Sequence, residues 1–140
     1  MVSGALAQDG QVRVAVKTSK GMITLVLEAA KAPLTTRNFL RYVDAKLYDK
    51  STFYRVSHVS NAPGTATADF FIVVGDQPGF DADPSGQGDK DGFAAFGQVV
   101  EGMDLVHAIM EMKVSPTAGV GAMKGEMLSP PVPIISMRRI

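Results

Sequence analysis

Few side chains in this 140-residue chain could do chemistry, and several classes of site are absent outright. There is no cysteine, which excludes disulfides, thiolate metal sites and a thiol nucleophile. The two histidines, His58 and His107, stand apart, without the His-x-x-x-His spacing of a classical zinc enzyme. Neither supports acid–base work, which needs an oriented partner, and His107 is expected to be exposed. Asp81-Ala82-Asp83-Pro84-Ser85-Gly86 starts like a calcium loop, but the twelfth position falls on Gly92 instead of the bidentate glutamate such a loop needs. A solvated acidic loop accounts for it better, so no metal and no cofactor is expected. There remains Arg55, in Phe53-Tyr54-Arg55-Val56. By periodicity alone it reads as an exposed strand arginine in a surface ion pair, because most arginines are exposed.

The elements that must position these residues follow from the hydrophobic pattern. Val12, Val14 and Val16 alternate with Arg13, Ala15 and Lys17, which predicts a half-buried strand over 12–18. Ser19-Lys20-Gly21 is a turn. A second strand follows from Met22 to Glu28, with Ile23, Leu25 and Leu27 facing one way and Thr24 and Val26 the other. Pro33 suits the first turn of a helix. Phe39, Leu40, Val43 and Leu47 then mark an amphipathic helix over about 34–46. Thr52 to Val56 is a short strand. Phe70 to Val74, a continuous apolar run, reads as a buried strand. Gly75 to Gly92 is a long glycine-containing loop, of a length that is usually functional. Phe93 to Val100 is a further strand, and Gly102 to Met112 a second helix with Leu105, Val106, Ile109 and Met110 on one face. Residues 115–131 read as loop and 132–139 as the closing strand. A β-rich body with two helices suggests a barrel capped at its ends.

The totals fit one soluble domain over residues 12–140, preceded by a flexible tail over 1–11. Lys plus Arg and Asp plus Glu are 14 each, so nothing steers the chain toward nucleic acid or an anionic membrane. No apolar run approaches the ~18 residues of a membrane span. Ala5-Leu6-Ala7 has the small-residue pattern of a signal-peptidase site. If it is a signal remnant the protein is periplasmic or exported, and otherwise cytoplasmic.

Five segments, in order, resemble the cyclophilin family. They are Lys20-Gly21-Met22-Ile23, then Ala32-Pro33-Leu34-Thr35-Thr36-Arg37-Asn38-Phe39, then Phe53-Tyr54-Arg55-Val56, then the stretch from Ala62 to Ile72 ending in Phe70-Phe71-Ile72, and finally Phe96-Gly97-Gln98-Val99-Val100-Glu101-Gly102-Met103-Asp104. The resemblance implies a closed antiparallel β-barrel capped by two helices. It also implies a peptidyl-prolyl cis-trans isomerase that assists protein folding and acts as a monomer on proline-containing peptides or unfolded chains. One departure is large. The family has several tens of residues between the positions of Arg55 and Asn61, including a strand of the type Phe-Met-x-Gln-Gly-Gly-Asp. Either the protein carries a segment beyond this sequence or it is shortened. Losing central strands would expose unpaired edges, which favours the first explanation.

Rotation about an Xaa-Pro bond crosses a barrier of about 18–20 kcal/mol and needs neither nucleophile nor metal. The catalyst must hold the twisted amide better than either planar form. Twisting localises a lone pair on the prolyl nitrogen, and a rigid, permanently charged arginine is a suitable donor to it. The resemblance assigns that role to Arg55. It nominates Phe53, Phe71 and Phe93 as walls of the proline pocket, Phe80 as a further wall and Asn61 as a contact for substrate backbone. Core packing competes as the role of each phenylalanine. The family has His or Tyr where Phe93 stands, and its pocket Gln, Met and frequent Trp have no counterpart here. The alternative reading is therefore a cyclophilin-like peptide-binding module of weak or absent catalysis.

Overall fold

The computed structural model of the chain describes residues 10–56, 70–75 and 95–140. It opens on the expected hairpin: β1 (Gln11–Thr18) pairs antiparallel with β2 (Gly21–Glu28), Val14 opposite Leu25 and Val16 opposite Ile23. The turn is tied by the Thr18 side chain. Its hydroxyl donates to the Gly21 carbonyl at 2.7 Å and accepts from the backbone N–H groups of Lys20 and Gly21.

Helix α1 (Pro33–Asp44) begins with proline in its first turn and buries Thr36, Phe39, Leu40 and Val43. It is shorter than the period suggested. Lys46 takes a positive φ of 61° just beyond it, and Leu47, expected on the buried face, is exposed. The short strand β3 (Thr52–Arg55) follows. Beyond the undescribed stretches come β4 (Gly97–Glu101), which is shorter than expected, α2 (Met103–Met110) and β5 (Val114–Ser115). Two expectations are corrected. Phe70 to Val74 is in no strand: Phe70, Ile72 and Val74 pack on the core while Phe71 and Val73 face out, so the run is extended but covered on one side only. The closing strand β6 starts at Met127 and runs to Arg139, through the proline-rich stretch read as loop.

The sheet follows the path β3-β6-β1-β2-β4, with β5 also pairing β6 and every pairing antiparallel. Among the described residues it is a curled half-barrel rather than a closed ring. The length of β6 lets it serve both ends of the sheet, pairing β3 and β5 first and β1 afterwards. A bulge falls between its two halves: Ile134 lies opposite Thr18 but Ser136 opposite Lys17, leaving Ile135 extra. The extra residue resets the pleat, so Val132 and Ile134 point inward on one phase and Met137 on the other.

The main core combines Val14, Val16, Ile23, Leu25 and Leu27 with Phe39, Leu40 and Val43 of α1, Tyr48, Val106 of α2, and Ile134 and Met137. A second cluster holds Val56, Ile109, Leu128 and Val132. On the outer face of β2, Thr24 and Val26 are buried as well, contrary to the alternation expected. Val26 lies opposite Arg13 of β1 and Thr24 opposite Glu101 of β4. The Arg13–Glu101 ion pair therefore crosses above β2 and covers these two side chains with its stems.

Candidate functional site

The candidate catalytic arginine is on β3, whose backbone is fixed by β6: Thr52 faces Pro133, Phe53 faces Val132 and Arg55 faces Met127, with a register irregularity between Phe53 and Arg55. After Arg55 the chain stays tied to the same neighbour, since the Val56 N–H donates to the Glu126 carbonyl at 2.9 Å. The Val56 side chain is buried in the second cluster beneath. The backbone before and after Arg55 is thus tied to one neighbour, β6 and the residue that precedes it.

Its guanidinium is held too. Nε donates to Glu126 Oε1 at 2.8 Å, and Nη2 donates to the same oxygen. The exposed surface pair expected from periodicity is instead a recessed one, with the side chains 15% and 18% exposed. Partial burial makes such a pair stronger and more rigid than a solvated one. Chemically, the arrangement presents a fixed, permanently charged hydrogen-bond donor to whatever lies along β3.

Phe53 and Arg55 are both half-buried, with the more exposed Tyr54 between them. Phe53 packs against both core clusters and meets the Phe70 ring edge-on at 6.0 Å. That ring belongs to an aromatic group around Phe39, whose centroid lies 5.4 Å from Tyr48, 5.2 Å from Phe70 and 5.1 Å from Phe96. Phe53 is thus tied to the core. Phe71 stands on the outer side of its segment, 47% exposed, where a contact residue would stand and a core residue would not. Asn61, Phe80 and Phe93 lie outside the described residues, as do His58 and the Asp81–Gly86 loop. His107 is exposed on α2, as expected. Sequence reasoning missed Glu126 and Tyr48. Glu126 follows a Gly125 in a stretch read as loop, with no periodicity to mark it.

Among known proteins, the family model described as cyclophilin type peptidyl-prolyl cis-trans isomerase/CLD matches residues 13–59 and 57–139. The chain is 31% identical to a peptidyl-prolyl cis-trans isomerase of Streptomyces antibioticus over 149 aligned positions, covering 76% of this chain and 87% of that one. It is 28% identical to peptidyl-prolyl cis-trans isomerase A of Dickeya dadantii over 152 positions, covering 79% and 77%. Both alignments are longer than the 140-residue chain, so these relatives carry residues that it lacks. The two family matches meet at residues 57–59, the junction where the sequence departs from the family pattern. In fold, the chain is similar to a cyclophilin type peptidyl-prolyl cis-trans isomerase of Cryptosporidium parvum, with a TM-score of 0.59 at 11% identity, covering 93% of this chain and 98% of that one. A crystal structure of that protein in the presence of the dipeptide Ala-Pro is similar with a TM-score of 0.58 at 12% identity, covering 90% and 97%.

Proposed function

The chain belongs to the cyclophilin-type peptidyl-prolyl cis-trans isomerase family, and we propose that it catalyses rotation about Xaa-Pro bonds in peptides and unfolded chains, with Arg55 as the donor to the prolyl nitrogen. The observation that carries this reading is the recessed, doubly bonded guanidinium of Arg55 on a strand held by β6. A donor that is already oriented loses little freedom as the amide twists, so its interaction grows where the lone pair develops. Phe71, with Phe93 and Phe80, would receive the proline ring, and Asn61 the substrate backbone. Phe53 would support that pocket from the core side. Closure of the sheet into a full barrel belongs to the same proposal. β3 and β4 end the described path, and the chain between them, residues 56–96, is what would have to join them.

A second reading has its own observation: the family match divides at residues 57–59, where the resemblance would put the pocket Gln and Met that this chain lacks. On that reading the domain binds proline-containing peptides without turning them over. Substitution of Arg55 separates the two. On the isomerase reading, Arg55→Ala lowers kcat/KM on an Xaa-Pro peptide by about 10²-fold or more, as loss of one oriented donor commonly does, while the circular dichroism spectrum is unchanged. An Arg55→Ala variant as active as the parent would reject the assignment.

A further inference from the structure

Of the ion pairs among the described residues, the most recessed is the one that sets a carboxylate against Arg55. Glu126 is delivered to it by a short, internally bonded loop. The Glu126 N–H donates to the Met123 carbonyl at 3.0 Å, Lys124 N–H to Gly121 at 3.2 Å and Gly125 N–H to Ala118 at 3.3 Å. Gly119 makes that loop possible. Its φ is +98°, and a Cβ there would lie 2.6 Å from the Met123 carbonyl oxygen. From the other side, the Glu126 carbonyl holds the Val56 N–H. The Glu126 backbone is therefore fixed to both its own loop and the end of β3, and its carboxylate reaches Arg55 from that fixed point. The two guanidinium nitrogens it engages, Nε and Nη2, lie along one edge of the plane, which leaves the edge carrying Nη1 to face a substrate.

We propose that Glu126 is the positioning residue for Arg55, orienting the guanidinium by one edge so that the other is presented to the twisting Xaa-Pro amide. This rests on the isomerase reading, which makes Arg55 the donor. Glu126 touches no substrate. It acts through Arg55, by removing the side-chain freedom that an unheld arginine would lose again at each turnover.

The test compares the parent with Glu126→Ala, Glu126→Leu, Glu126→Gln, Glu126→Asp and the double variant Arg55→Ala/Glu126→Ala. The readouts are kcat and KM on an Xaa-Pro peptide, melting temperature, and solvent exchange of the Arg55 Nε–H resonance. Glu126→Ala, which removes the one oxygen that accepts both Arg55 bonds, is expected to lower kcat about tenfold with KM unchanged, whereas Glu126→Gln, whose amide oxygen can still accept them, should keep most of the rate. Glu126→Asp should recover part of the loss, and the Nε–H proton should exchange faster in the Ala variant. The double variant should be no slower than Arg55→Ala alone, because the two residues act as one unit. Should Glu126→Ala fail to fold, Glu126→Leu, close in size and without an oxygen acceptor, carries the test. A parent-like kcat in Glu126→Ala or Glu126→Leu beside an impaired Arg55→Ala overturns the positioning role while sparing the isomerase reading. So does a double variant slower than Arg55→Ala by the full Glu126 effect. A parent-like rate in Arg55→Ala removes the isomerase reading, and the positioning role with it.

Discussion

At the scale of single residues, the phenylalanines near β3 divide by what covers them. Phe53 is packed between two core clusters and against Phe70, so Phe53→Ala should cost roughly 2–4 kcal/mol, somewhat under the range for a fully buried ring. Denaturant unfolding will measure it. Phe71 is 47% exposed, so Phe71→Ala should leave that midpoint nearly unchanged and act on peptide affinity instead. The reverse pattern would exchange their roles. Sequence context picked out Arg55, because Phe-Tyr-Arg-Val is a short local signal. Its partner was not legible, because Glu126 lies 71 positions away and reaches Arg55 only through the β3–β6 pairing. Tyr48 was hidden for a related reason: it follows α1 in no regular element, and the rings of Phe39, Tyr42 and Phe70 pack around it.

At the scale of elements, the hairpin, α1 and α2 were legible because each carries its own period. The elements that were misread are those whose burial depends on a neighbour. Thr24 and Val26 alternate like solvent-facing residues but are roofed by the Arg13–Glu101 pair across β2. The prolines of β6 speak against a central strand, and Pro130, Pro131 and Pro133 are exposed on it while Leu128, Val132 and Ile134 point inward. The bulge at Ile135 gives a sharp test. Ile135 is 49% exposed although it stands in an apolar Ile134-Ile135 pair, whereas Ile134 is 2% exposed. Ile135→Lys should change stability by no more than about 0.5 kcal/mol, as a surface substitution does. Ile134→Lys should unfold the domain by burying an unpaired charge. Equal effects in thermal unfolding would mean that the bulge is misplaced.

At the scale of the whole molecule, the last strand is anchored by charge as well as by hydrogen-bonded ladder. Arg138 grips Asp49 with two bonds, at 2.8 and 2.7 Å, and Arg139 grips Asp44 at 2.9 and 2.6 Å. The hydrogen bonds from these guanidinium groups hold both carboxyls below the usual carboxylate range. A carboxyl depressed in the folded state adds stability above its unfolded pKa, about 4, and that contribution fades as pH falls through the lower folded value. The melting temperature should therefore decline below about pH 4, and less steeply in Asp44→Asn/Asp49→Asn. The difference should be small, because these pairs face solvent and are screened by salt. A steeper acid decline in the double variant would contradict the assignment. The half-barrel that the described residues form is the feature the sequence announced only indirectly, through the departure from the family pattern after Val56. Local patterns report which face of a strand is buried, not how many strands complete the ring.

The most direct test of the account is nuclear magnetic resonance exchange spectroscopy on an Xaa-Pro peptide with a trace of the protein, since one sample reads both binding and turnover. The account predicts cis–trans exchange far faster than the uncatalysed process, which takes tens to hundreds of seconds, and its loss in Arg55→Ala. Peptide line broadening without accelerated exchange would contradict it, and would leave a cyclophilin-type domain that binds proline-containing chains without isomerising them.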